Sequence, residues 1–120
     1  MSSRRGTLAL GAWGELQACH FLVRQKFFIR ERNYHTTAGE IDIIAEKGGD
    51  YYFVEVKTRT VGEMATDLAI TPAKLRKLEK TIKMYCYQRN IADRSLILAG
   101  LLVTVNRETS RLTFRLAVFC

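Results

Sequence analysis

One proline in 120 residues, three scattered cysteines and no long apolar run mark what this sequence lacks. A proline-poor chain that is 48% hydrophobic is the composition of a compact globule, not of a disordered or linker-like segment. Its length allows a sizeable core but not two of them, so residues 1–120 are expected to form a single domain. Cys19, Cys86 and Cys120 make no CxxC pair and no Cys/His metal spacing, a pattern that suits reduced thiols in a cytoplasm. The N-terminal stretch carries Arg4 and Arg5 but too short an apolar segment for a secretory signal. The most apolar run, residues 96–105, is interrupted by Gly100 and falls far below the ~20 residues of a membrane span. The expectation is a soluble cytoplasmic protein with no membrane partner.

Two kinds of functional signature are also missing. Gly11 and Gly14 match neither the P-loop nor the dinucleotide-binding spacing. His20 and His35 have no metal-ligand or triad pattern around them and read as structural or surface residues. Acids are the scarcer charge, 12 against 19 lysines and arginines, for a net charge of +7. That balance favours an anionic partner, nucleic acid before anionic membrane, although many soluble proteins are basic without one.

The most informative segment is residues 39–57, GEIDIIAEKGGDYYFVEVK. Residues 40–46 and 50–57 are crowded with β-branched and aromatic side chains and are expected to be strands. Gly48-Gly49 between them is a pair preferred by two-residue hairpin turns, where both positions can need positive φ. If Lys47 then pairs with Asp50, counting outward sets Asp42 opposite Glu55 and Glu40 opposite Lys57. With side chains alternating at period two, these four project from one face together with Tyr51 and Phe53, while Tyr52, Val54 and Val56 point to the other. Opposed like charges destabilise a sheet, so Asp42 against Glu55 calls for a neutralising partner, a divalent cation above all. For any one of these residues an exposed, wet hairpin face is the plainer reading; their combination with two aromatics favours a site.

Around the hairpin, residues 8–27 have helical periodicity in Ala12, Leu16, Cys19 and Val23, and residues 27–35 look extended. Residues 61–70 read as a loop. Thr71-Pro72 is a helix start, a capping hydroxyl followed by proline at the first position, and that helix is expected to run to about Arg89. Residues 96–105, apolar without alternation, read as a strand buried on both faces, parallel and central. Residues 111–119 alternate, with Leu112, Phe114, Leu116 and Val118 inward and Arg111, Thr113 and Arg115 outward. The order is helix, three strands, helix, two strands: an α/β fold around a mixed sheet.

Glu15 falls in the first helix within an apolar arc of Leu8, Ala12, Ala18, Cys19, Leu22 and Val23. A carboxylate there is costly unless paired or bound to a cation, or it is a helix-start glutamate reaching solvent. The second helix carries Lys74, Arg76, Lys77, Lys80, Lys83 and Arg89 against the single acid Glu79. Arg76, Lys77, Lys80 and Lys83 share one side with Tyr87, either a solvated face or a surface for backbone phosphates. Lys74 lies on the apolar side, and either snorkels or reaches toward the acidic site or its phosphate.

Asp42, then twelve residues, then Glu55-Val56-Lys57 resembles the core of the PD-(D/E)XK nuclease superfamily. With Gly11-x-x-Gly14-Glu15-x-x-Ala18, Arg32-Asn33-Tyr34, Gly39-Glu40-Ile41-Asp42 and Phe53 through Arg59, the string is similar to the YraN-like family of small bacterial proteins, predicted nucleases related to archaeal Holliday-junction resolvases. Where that family tends to carry Arg-Phe-Asp before the next strand, this chain has Arg94-Ser95-Leu96. The resemblance implies a restriction-endonuclease-like αβββαβ core, a central mixed sheet flanked by helices. It implies a metal-dependent endonuclease (a hydrolase acting on DNA, with branched or structured DNA as a candidate substrate), using Mg²⁺ or alternatively Mn²⁺. Asp42 and Glu55 would be the ligands, helped by the Val56 carbonyl, and Lys57 would orient or help deprotonate the attacking water. Glu15 would act through water or a second metal, and Glu40 would support Lys57. Arg76, Lys77, Lys80, Lys83, Lys74 and Arg59 are the candidate nucleic-acid contacts. A homodimer is expected by analogy with resolvases, which must cut two strands. The competing reading is a non-catalytic nucleic-acid-binding or adaptor protein that retains a nuclease fold.

Overall fold

A computed structural model describes residues 3–62 and 70–119, with side chains from Leu10 onward. Its elements are α1 (Ser3–Arg24), β1 (Phe28–Thr36), β2 (Gly39–Lys47), β3 (Asp50–Thr60), α2 (Pro72–Gln88), β4 (Leu96–Asn106) and β5 (Arg111–Val118). The strands form one sheet in the order β1-β2-β3-β4-β5, antiparallel throughout except for the parallel pair β3/β4. Two helices flank this mixed sheet, as in a restriction-endonuclease-like core. The central strand is β3, however, and β4 lies one place further out than expected. The loop expected over 61–70 falls mostly on residues 63–69, which lie outside the described residues, as do Cys120 and the side chain of Leu8.

Two apolar clusters hold the layers together. On the α1 side, Ala18, Cys19 and Leu22 pack on Ile43, Val54, Ala99, Leu101 and Val103. On the α2 side, Leu78, Ile82 and Tyr85 pack on Ile41, Ile44, Phe53 and Leu98. β3 alternates as its sequence predicts, Tyr51 and Phe53 facing α2 while Tyr52, Val54 and Val56 face α1. β4 is buried on both faces through its middle, from Leu98 to Val103.

α1 departs from expectation at both ends and around its axis. It begins at Ser3 and stops at Arg24, where a Schellman pattern closes it: Phe27 N donates to Leu22 O at 2.9 Å and Lys26 N to Val23 O at 3.0 Å. Lys26 takes the left-handed position, φ 72°, that glycine or asparagine usually signals, which hid this end from sequence. Cys19 is buried as expected, but Ala12, Leu16 and Val23 are exposed. This helix is apolar nearly all round, so periodicity could not choose its inner face. The choice falls to its smallest residue. A Cβ built on Gly14 would stand 1.9 Å from Thr58 Oγ1, so only glycine lets α1 lie directly on β3.

α2 begins where Thr71-Pro72 predicts, with Thr71 Oγ1 accepting from Lys74 N at 3.1 Å, and it ends one residue before the expected Arg89. Val118, expected to be inward on β5, is 60% exposed at the end of that strand. Arg94, in the stretch that departs from the family pattern, donates to Glu46 Oε2 at 2.8 Å and to Gly49 O at 2.9 Å. It thereby clamps the β2–β3 turn. Among the described residues no helix is long and apolar enough to cross a membrane.

Candidate active site

Gly48 and Gly49 adopt φ 61° and 86°, and Lys47 pairs with Asp50, so the hairpin starts in the register predicted from the glycines. The ladder then runs through Ile44↔Phe53 to Ile43↔Val54 and ends there. Asp42/Glu55 and Glu40/Lys57, expected as opposed pairs, lie beyond it. β2 stays with β1 through Ile41↔Tyr34 and Glu40↔His35, while β3 stays with β4 through Glu55↔Gly100 and Lys57↔Leu102. The sheet therefore parts between β2 and β3 at Asp42.

A local distortion falls opposite. Asn33, which falls between the pairs Arg32↔Ile43 and Tyr34↔Ile41, has φ 52°, a left-handed conformation that asparagine tolerates better than most residues. Alternation lapses there, since Ile43 packs on the α1 side while Ile41 packs on the α2 side. The expectation that Glu40, Asp42, Glu55 and Lys57 share a regular face thus holds only as far as the parting. Asp42 lies in the gap, and its Oδ2 accepts from the Val56 backbone N at 2.7 Å, replacing the missing ladder bond. A strand residue directs its N–H and C=O to the same side, so the Val56 carbonyl also turns toward the gap.

The candidate residues gather in two cavities flanking this parting. One, of about 210 Å³, is lined by Leu10, Gly11, Glu15, Asp42, Val56, Lys57 and Thr58. The other, of about 440 Å³, is lined by Glu40, Glu55, Lys74, Lys77, Thr71 and Thr81 among others. Glu15 arrives because Gly14, its neighbour, seats α1 on Thr58. Its Oε1 is buried without a hydrogen-bond partner. Burial, with Asp42 and Glu40 nearby, raises the Glu15 pKa, and the Arg32 charge opposes the rise. Glu55 is pushed up to about 8, first by burial, then by the charge of Asp42 and a hydrogen bond with its carboxyl. Lys74 pulls the other way. Lys74 is exposed and lines the same cavity as Glu55.

Glu40, which lines the larger cavity, meets His35, Nδ1 to Oε2 at 3.1 Å. Arg59 donates from Nε to Thr104 Oγ1 at 3.2 Å, so that nitrogen is committed to the sheet. Arg76, Lys77, Lys80 and Lys83 are all exposed, and Leu78, Thr81, Ile82 and Tyr85 form the buried side of α2. Sequence reasoning gave no role to Asn33 or Arg32, although both stand in the quoted Arg32-Asn33-Tyr34 string; the asparagine was the signal for the kink.

The donor set suits a hard cation. Among the described residues no group of three or more His, Cys, Asp or Glu side chains is gathered tightly enough to hold a metal alone. Mg²⁺ does not need one, because it is usually bound through one or two carboxylates and keeps several waters. Two carboxylates held together at a parting, a backbone carbonyl directed toward it and an unpartnered Glu15 oxygen fit that requirement.

The model of the uncharacterised protein family UPF0102 matches residues 14–111, from the glycine beneath α1 to the start of β5. Among similar proteins, a UPF0102 protein of Syntrophomonas wolfei is 42% identical over 77 residues, 63% of this chain and 67% of its own length. One of Helicobacter pylori strain HPAG1 is 46% identical over 83 residues, 68% of this chain and 70% of its own. One of Acaryochloris marina is 44% identical over 89 residues, 65% of this chain and 52% of its own.

Proposed function

The chain belongs to the uncharacterised family UPF0102, the YraN-like proteins, and from its site we propose a metal-dependent endonuclease that hydrolyses DNA phosphodiester bonds. The observation that carries this reading is the juxtaposition of Asp42 and Glu55 at the parting of β2 and β3. Two carboxylates so placed do not readily ionise together, and after burial the charge of Asp42 is the next cause of the raised Glu55 pKa; a cation between them would remove the conflict.

Asp42, Glu55 and the Val56 carbonyl would hold Mg²⁺, with Mn²⁺ as an alternative. When bound, the ion supplies Lewis-acid stabilisation of phosphate charge and lowers the pKa of water. Asp42 is itself held by the Val56 amide, which fixes its second oxygen for binding. Lys57, in the cavity shared with Asp42 and Glu15, orients the attacking water and takes part in its deprotonation. Glu15, whose Oε1 is buried without a partner and which lines that cavity, would act through water or a second metal. On the other flank Lys74 brings positive charge to Glu55 and to an incoming phosphate. The exposed cations of α2 extend that surface, and the net charge of +7 favours a polyanionic substrate.

The test is cleavage of labelled duplex, single-stranded, flap and four-way-junction DNA with Mg²⁺, Mn²⁺ or EDTA. Metal-dependent cutting should disappear in Asp42→Ala and Glu55→Ala while DNA binding persists. Cutting that survives both substitutions overturns the site. Binding without cutting under every condition favours a non-catalytic nucleic-acid-binding protein instead.

A further inference from the structure

α2 packs chiefly over β2 and β1, its apolar side also reaching Phe53 on β3 and Leu98 on β4. The β4–β5 half of the same face of the sheet carries a second group of cations and hydroxyls that the site does not use. Phe114 and Leu116 pack toward α1, so Arg111, Thr113 and Arg115 project to the α2 side, and all three are exposed. Leu101 and Val103 also pack toward α1, which sets Thr104 on the same side as those three, and Val54 and Val56 do the same for Arg59. Register aligns Arg59, Thr104 and Thr113 in one row across three strands. A cavity of about 450 Å³ opens there, lined by Val61, Thr104, Asn106, Thr109, Arg111 and Thr113.

No carboxylate is among those lining residues. Asn106 Oδ1 already accepts from the Glu108 and Thr109 amides at 3.1 and 3.2 Å, which leaves its amide group as a donor. Arg59 spends Nε on Thr104 and keeps its terminal nitrogens. The remaining functionality is guanidinium, amide N–H and hydroxyl, the set that contacts phosphate oxygens. Arg59 stands four residues beyond Glu55 on β3, about 13 Å at ~3.3 Å per residue. That is well inside one turn of duplex DNA, ~34 Å.

We infer that this β4–β5 face, with Arg111 and Arg115 as its principal cations, binds backbone phosphates on the side of the scissile bond opposite to that contacted by α2. The carboxylates then lie between two cationic flanks, and the substrate runs across the parting rather than ending at it. This rests on the nucleic-acid reading above and adds a contact surface that reading does not require.

The experiment measures binding of a fluorescent duplex of about two helical turns to Asp42→Ala protein with Mg²⁺, from about 50 to about 200 mM salt. Each phosphate contact contributes about 0.9 to the slope of log affinity against log salt. Arg111→Ala with Arg115→Ala should flatten that slope by about two, and the Lys pair at the same positions should restore it. An unchanged slope in the Ala pair, with a flattened one in Lys80→Ala/Lys83→Ala, overturns the β4–β5 surface and leaves nucleic-acid binding standing. No binding by the parent protein overturns both.

Discussion

Glu55 is the residue whose protonation most directly reports on the site. Its folded pKa of about 8 lies above its ordinary value of 4.5, so the native protein holds a proton that the unfolded chain releases. The stability associated with that proton is complete below about pH 4.5 and is lost as pH rises through about 8. Thermal unfolding of metal-free protein should therefore show a falling Tm across this window, and Glu55→Gln should flatten the fall and raise Tm at pH 8. Adding Mg²⁺ at pH 8 should raise the Tm of the native sequence but not that of Glu55→Gln. A parallel Mg²⁺ response in both proteins would remove Glu55 from the ligand set. Lys57→Ala, under the proposed mechanism, should lower the cleavage rate about 10²-fold or more with little change in DNA affinity, measured by single-turnover kinetics.

At the scale of elements, the packing of α1 makes the site depend on a glycine that touches none of its chemistry. Gly14→Ala forces a methyl group into Thr58 and should destabilise the fold by about 1–3 kcal/mol in denaturant titrations. Gly14→Ala with Thr58→Ala should recover part of that, because it removes both Thr58 Oγ1 and Cγ2, 1.9 and 3.0 Å from the added carbon. The other end of the helix offers the opposite sign. Lys26→Gly relieves a left-handed lysine and should add up to about 1 kcal/mol by the same measurement. Such devices mark the boundary of what was legible. The Gly-Gly turn fixed five hairpin pairs and the two faces of β3, because those depend only on local counting. The parting at Asp42 was not countable, since it falls opposite the distorted Asn33 on a different strand. The inner face of α1 was obscured for another reason: a helix apolar all round gives the wheel nothing to discriminate, and a contact with Thr58, 44 positions away, decides. Glu15 could be singled out by its unusual neighbours. That it meets Asp42 and Arg32 emerges only when β1 and β2 are in place.

For the whole molecule, one sheet divides the labour between its two halves. β1 and β2 move together away from β3, carrying α2 above them, and β3 remains bound to β4 and β5. Asp42 belongs to the first half and Glu55 to the second, so the site exists only while the halves stay registered through the five pairs near the turn. Arg94 secures that end by joining Glu46 and the Gly49 carbonyl. Arg94→Ala should therefore reduce Mg²⁺ affinity, read by calorimetry, although it lies at the far end of the hairpin from Asp42. An affinity equal to that of the native sequence would show that the turn holds without the clamp.

Beyond Val54, among the described residues, β3 has no strand paired along its β2 side. An unpaired edge of this kind is a template for the strand of another molecule, and natural sheets guard such places with charge. Asp42, Glu55 and Lys57 sit there, so residues proposed for chemistry also place charge where another strand would pair. Removing both acids at once should leave a chain that clouds on concentration, as light scattering would show. Single substitutions are then the sounder inactive controls, and loss of activity in the double variant is interpretable only beside a measure of its solubility.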